Sequence, residues 1–252
     1  MSWRQHALLR GAGVRLAELA PDGAYDLDAL AATITPRTKL VVIVSPNNPT
    51  GQAVGAADLS AFLDHLPEHV LPVLDEAYFE YLPADGHNGA TLLSAGRRLL
   101  VTRTFSKAFG LAGLRVGYLL GPPEFLAALG KVRSVFDVNA VAQAGATASL
   151  AAAPDQLPER IALIAAERQR VDAGLRARGF TPLPSTANFL TFPAGDAERA
   201  ARLNDALLRR GLIVRPLGSF GAPEAIRVTI GAPDENTLFL DALAAVIADG
   251  AI

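Results

Sequence analysis

Four short segments of this sequence carry side chains able to do chemistry, and each closes or follows an apolar run. They are Ser45-Pro46-Asn47-Asn48-Pro49-Thr50-Gly51, Leu74-Asp75-Glu76-Ala77-Tyr78, Thr102-Arg103-Thr104-Phe105-Ser106-Lys107 and Gly113-Leu114-Arg115-Val116-Gly117. Ligands of open α/β sheets collect at the carboxyl ends of strands, so these positions converge if the runs are strands of one sheet. Taken singly, each segment has an ordinary reading: a tight turn, a helix cap, a surface lysine, a structural ion pair. Together they bring a carboxylate, a phenol, an amide, hydroxyls, a lysine and an arginine to one edge. Other motifs fail on local grounds. His65-Leu66-Pro67-Glu68-His69 has the spacing of an inverted zinc-protease motif, but Pro67 breaks the helix that both histidines need. Gly11-Ala12-Gly13 lacks a third glycine and a preceding strand, so it does not read as a dinucleotide loop. With no cysteine, the chain has no disulfide framework, thiolate metal site or cysteine nucleophile, and no metal is expected.

The elements that must position these groups alternate through the first half. Leu40–Val44, Val70–Leu74, Leu99–Thr102 and Val116–Leu120 are short apolar runs bounded by Pro, Gly, Asn or Asp, which read as strands buried on both faces. Helical patterns lie between and after them, at Ala56–Leu66, Pro123–Val132 and Ala140–Ala152. This alternation predicts an α/β domain with a mostly parallel sheet flanked by helices. After Ala153 the texture changes to a charged helix, Gln156–Arg178. Strands at Ala187–Phe192, Leu212–Leu217 and Ala225–Ile230 follow, with helices at Ala197–Arg210 and Asp234–Ala248. The expected organisation is a domain over residues 1–152 and a smaller α+β domain over 153–252.

The 252 residues carry 23 basic against 25 acidic side chains and no basic cluster, which argues against a nucleic-acid surface. Although mean hydropathy is +0.27, proline or charge interrupts the apolar runs well short of the ~20 residues of a spanning helix. The first residues carry three arginines without a signal peptide's apolar centre. A cytoplasmic protein, with neither nucleic acid nor membrane as partner, is the expectation.

The grouped side chains match what pyridoxal 5'-phosphate requires. A lysine must form a Schiff base with the cofactor's aldehyde and later carry the substrate's α-proton. A carboxylate must keep the pyridine nitrogen protonated so that the ring accepts electrons. An amide and a phenol suit the ring oxygen, and hydroxyls with an arginine suit the phosphate. The run from Thr104 to Gly113, TFSKAFGLAG, followed by LRVGY, resembles the lysine signature of class II aminotransferases. SPNNPTG and DEAY, in the same order, extend the resemblance to fold-type I aminotransferases, with histidinol-phosphate aminotransferases the most similar family. STANFLTF (Ser185–Phe192), RGLIVRPLGSFG (Arg210–Gly221) and IRVTIGAPDEN (Ile226–Asn236) resemble that family's C-terminal domain, so the likeness runs from about Leu16 to the end.

The resemblance implies that Lys107 carries the cofactor and moves the proton, and that Asp75 pairs with the pyridine nitrogen. It places Asn48 and Tyr78 at the ring oxygen and Thr104, Ser106 and Arg115 at the phosphate. Arg227 would hold a substrate carboxylate. Arg215 reads as a second substrate arginine or an interdomain ion pair, and Asn188 as a substrate contact or a strand cap. The implied reaction moves an amino group between glutamate/2-oxoglutarate and histidinol phosphate/imidazole acetol phosphate, in a homodimer. Aromatic amino acid aminotransferases and threonine-phosphate decarboxylases share nearly the same motifs. From another class, a non-catalytic aminotransferase-like module is an alternative, which Lys107 disfavours. The family also carries a segment before the position of Met1, with a phosphate-binding glycine loop, an aromatic stacked on the cofactor and a tyrosine reaching the neighbouring subunit. Trp3 is not given the stacking role. On this reading the 252-residue chain binds cofactor weakly and tends to aggregate, because lost phosphate contacts of about 1–3 kcal/mol each and an unpaired sheet edge both count against it.

Overall fold

The computed structural model describes residues 2–250, and the chain separates into two compact units. One holds the residues up to Asn47 with Ala53–Pro158; the other holds Asn48–Gln52 with the residues from Glu159 onward. In the first unit, α1 (Ser2–Leu9) and α2 (Leu27–Ala32) precede β1 (Leu40–Val44), α3 (Ala56–Asp64), β2 (Leu71–Asp75) and α4 (Gly89–Ser94). They are followed by β3 (Leu100–Thr104), β4 (Gly117–Leu120) and α5 (Pro123–Gly130). The 37-residue α6 (Ala140–Arg176) runs on into the second unit.

The sheet of the first unit has the order β1-β2-β3-β4, parallel through β3 and antiparallel at β4. In register, Val44 pairs with Asp75 and Asp75 with Thr102. β1 and β2 therefore end level, β3 runs two residues further, and the chemistry-bearing segments leave from one edge. Pro72 sits in the central strand β2, a position that normally excludes proline. Alternate β2 amides face β1: the Leu71 N–H donates to the Lys39 carbonyl, while the Glu76 N–H donates to Thr102 on the other side. The nitrogen of Pro72 faces β3, where pairing begins only at Val73, so no ladder bond is lost there.

The alternation of β2 divides its side chains between two faces. Leu74 packs with Val41, Ile43, Leu59, Phe62 and Val101 under α3. Leu71 and Val73 pack with Leu100 on the other face, where Trp3 of α1 and Phe125 of α5 join them. Phe105, Phe109 and Val116 form a further cluster with Ala142 and Ala146 of α6. Burial of each such large side chain contributes about 1.5–3 kcal/mol.

The second unit contains β5 (Phe189–Pro193), α7 (Ala197–Arg209), β6 (Arg215–Pro216), β7 (Ala225–Thr229) and α8 (Pro233–Ala248). Its antiparallel sheet has the order β5-β7-β6. Phe192, Leu203, Leu207, Ile226 and Leu243 form a fully buried centre.

Most predicted elements occur with ends shifted by a few residues. The break expected at Ala153 is different: α6 passes through it, with Pro154 and Pro158 inside the helix. Each interior proline costs about 3 kcal/mol, and the alanine-rich stretch around them, with the best intrinsic helix propensity, carries the helix across. The division between units falls after Pro158 and also assigns Asn48–Gln52 to the second unit, whereas residues 1–152 and 153–252 were the expected spans.

Candidate active site

Asp75 is the last residue of β2, and both of its carboxylate oxygens accept hydrogen bonds. The Trp3 indole Nε1–H donates to Oδ2 at 2.6 Å and the Ala77 amide to Oδ1 at 3.2 Å. Three residues further on, Tyr78 is buried, and Lys107 Nζ lies 5.2 Å from the centre of its ring. Lys107 reaches this place because β3 runs only two residues past the level of Asp75 before the chain turns: the Ser106 amide donates to Thr104 Oγ1 at 3.1 Å, and the Gly110 amide to the Lys107 carbonyl at 2.9 Å. The first unit thus brings Asp75, Tyr78, Thr104, Ser106 and Lys107 to one sheet edge.

Arg115 is exposed, with left-handed backbone (φ 53°) and Nη1 donating to the Ala112 carbonyl at 2.8 Å. A non-glycine residue held in that conformation stores on the order of 1–3 kcal/mol, which functional sites often tolerate.

Behind Asp75 runs a buried polar chain that spacing does not reveal. Glu76 has no exposed surface. Its Oε2 accepts from Arg103 Nε at 2.8 Å and Nη2 at 2.7 Å. Its Oε1 accepts from the Gly89 amide at 2.7 Å and from His87 Nδ1–H at 3.1 Å. His87 Nε2 is hydrogen-bonded to Ser45 Oγ, 2.7 Å away, and Ser45 Oγ accepts from the Val54 amide at 2.9 Å. Arg103 also donates to Asn88 Oδ1 and lies 3.5 Å over the Phe79 ring. The chain ties the residue after Asp75 to the residue that opens the Ser45–Gly51 turn. Tyr25 closes the end of β1, its hydroxyl bonded to both the amide and the carbonyl of Val44. Burial, and secondarily the charge of Asp75, push that phenol well above its ordinary range.

In the second unit Arg227 Nη1 donates to Asn48 Oδ1, and its guanidinium lies 4.9 Å over the Phe189 ring. Arg215 is exposed on β6 and is the direct cross-strand partner of Arg227. Direct antiparallel partners project from one face with Cβ atoms about 5 Å apart, and like charges there repel unless an anion lies between them. Asn188 is half-buried just before β5, its carbonyl accepting from the Ile230 amide at 2.9 Å. His65 caps the end of α3, while His69 Nε2 faces the Thr35 carbonyl at 3.2 Å.

Fold and site together define an α/β protein with a lysine, an acid and a buried phenol at the carboxyl edge of a parallel sheet. The chain belongs to the class I and II aminotransferases, whose family model matches residues 2–243. It is 48% identical over 225 residues to an aromatic amino acid aminotransferase of Nocardia farcinica, covering 88% of this chain and 61% of that protein. Over 230 residues it is 47% identical to histidinol-phosphate aminotransferase 2 of Pseudomonas fluorescens, covering 91% and 61%. The crystal structure of histidinol-phosphate aminotransferase from Sinorhizobium meliloti, in complex with pyridoxal-5'-phosphate, superposes with a TM-score of 0.91 at 34% identity, covering 98% of this chain and 68% of that one. The chain therefore spans about three fifths of the length of the curated relatives it matches.

Proposed function

We propose that this chain is the pyridoxal-phosphate-dependent part of an aminotransferase that exchanges an amino group between histidinol phosphate and 2-oxoglutarate/glutamate. The observation that carries the reading is the placement of Lys107 against Tyr78, one strand from Asp75. The donor set fits the cofactor: an acid for a pyridinium, a phenol for a ring oxygen, and two hydroxyls with an exposed guanidinium for a phosphate. When bound, the cofactor supplies an aldehyde for the amine and an electron-poor ring that stabilises negative charge at the substrate's α-carbon.

The protein's own groups do the rest. Asp75, held at both oxygens, would hold the ring nitrogen of the bound cofactor in its protonated form. Lys107 is the base that takes the α-proton at Nζ and returns it elsewhere. The Tyr78 hydroxyl would donate to the ring oxygen, Asn48 being the second group proposed for it, and Thr104, Ser106 and Arg115 would hold the phosphate. Arg227, with Arg215 opposite it across the strands, offers paired guanidinium groups to a carboxylate or a phosphate, and Asn188 is a further substrate contact. A receptor that accepts either anion suits one site serving two different substrates. A cytoplasmic homodimer completes the proposal; among the described residues no helix is long and apolar enough to cross a membrane.

A relative named for aromatic substrates is as similar as one named for histidinol phosphate, so the amino donor is the point to test. The assay compares histidinol phosphate, phenylalanine and threonine phosphate as donors, and a separate sample is reduced with borohydride and mass-mapped. The pyridoxyl mass is expected on Lys107, with histidinol phosphate the best donor. Modification at another lysine, or normal transamination by Lys107→Ala, overturns the mechanism; preference for phenylalanine overturns the substrate alone.

A further inference from the structure

We propose that Trp3 is a positioning residue for Asp75, an inference that rests on the cofactor reading above. Trp3 lies on α1, far from Asp75 in sequence, yet its indole N–H meets Oδ2 at 2.6 Å. The ring packs against the cluster of Leu71, Val73 and Leu100, so apolar contact helps to set the direction of the N–H. The second oxygen is held by the Ala77 amide at 3.2 Å, from the turn that follows β2. Donors from two separate elements therefore set the plane of the carboxylate.

The chemistry of the donor matters as much as its place. An indole nitrogen can only donate, so its partner at this position must be an acceptor, which a carboxylate oxygen is. A carboxylate held in one orientation is what a pyridinium N–H requires. One indole donor and one amide donor leave the remaining lone pairs for a ring nitrogen, since a carboxylate offers about four acceptor positions.

The test is a double-mutant cycle on cofactor affinity, measured by equilibrium dialysis of the whole chain with pyridoxal 5'-phosphate. Trp3→Phe keeps the aromatic bulk and removes the donor; it is expected to weaken binding roughly tenfold, the effect of one hydrogen bond to a charged group. In an Asp75→Asn background the same substitution is expected to change binding by less than about twofold, because the charge it serves is gone. Trp3→His, which restores a ring N–H, is expected to recover most of the loss. Should Trp3→Phe not fold, the tryptophan can be replaced globally by benzothienylalanine, which puts sulfur where the N–H was. Trp3 is the only tryptophan, so this substitution alters one site alone. Unchanged or tighter binding in either donor-free protein, or equal weakening in both backgrounds, overturns the inference while leaving the cofactor reading intact. A wild-type chain that takes up no pyridoxal phosphate, or an Asp75→Asn variant that binds it normally, overturns the reading and the inference with it.

Discussion

Truncating Glu76 to alanine removes a carboxylate that four donors converge on, and the loss can be worked out from its neighbours. Arg103 has a side chain only 10% exposed; it keeps Asn88 and the Phe79 ring but loses its counter-charge. Breaking a buried pair in this way costs about 3–5 kcal/mol, because the surviving charge stays buried. The Gly89 amide loses its acceptor as well, a further cost of about 1–3 kcal/mol where water cannot replace it. The two losses overlap, since Arg103 can tilt toward the vacated space, so about 4 kcal/mol is the expected total. Against a typical stability of 5–15 kcal/mol that is severe, and it corresponds to a melting point lower by roughly 10 °C for a chain of this size. Urea unfolding at neutral pH, with thermal melting alongside, measures it. The informative comparison is Glu76→Ala with Arg103→Met: removing both charges leaves neither stranded, so the double variant is expected to be more stable than Glu76→Ala alone. A single-variant loss below about 1 kcal/mol, or a double variant no better than the single, would refute the argument that the chain of bonds from Ser45 to Arg103 acts as a closed unit.

Two further outcomes follow from neighbouring residues. Glu80 has an oxygen buried without a hydrogen-bond partner, and burial above all raises its carboxyl above the ordinary range. A group whose pKa is higher in the folded than in the unfolded state favours folding most at low pH and loses that advantage as pH rises through its folded value. Glu80→Gln is therefore expected to raise the melting point near pH 7.5 and to have little effect near pH 4; equal gains at both would contradict this assignment. At Gly117, a Cβ would lie 2.6 Å from the Arg103 carbonyl oxygen and 3.4 Å from Thr104 Cα. Gly117→Ala should cost roughly 1–3 kcal/mol through strain in the β3–β4 pair, read as a shift in urea midpoint, and a neutral substitution would show that β4 yields more easily than its register suggests.

The sheet of the first unit was legible in the sequence because its strands are buried on both faces and so appear as unbroken apolar runs. Leu40–Val44 needs no other signal. The antiparallel turn into β4 left no trace in Val116–Leu120, since strand direction is set by the connection rather than by side-chain periodicity. The short helices α2 and α4 escaped notice because their caps decide them: Asp26 Oδ1 accepts from the Ala29 amide, and Asn88 Oδ1 from those of Ala90 and Thr91. At the site, the groups brought to one edge were those with recognisable local spacing. Trp3, Tyr25 and His87 were not, since each arrives from a distant part of the chain and only the folded backbone makes it a neighbour. The pairing of Arg215 with Arg227 was likewise hidden until β6 and β7 came into register.

A lone indole wedged beside the acid also gives this protein a spectroscopic property. Every photon of tryptophan emission originates a hydrogen bond away from Asp75, so the wavelength of that emission reports the polarity of one microenvironment and no other. A chromophore that absorbs in the near ultraviolet and settles at the same sheet edge lies within energy-transfer range of the indole, and its arrival can be followed as quenching, by light alone.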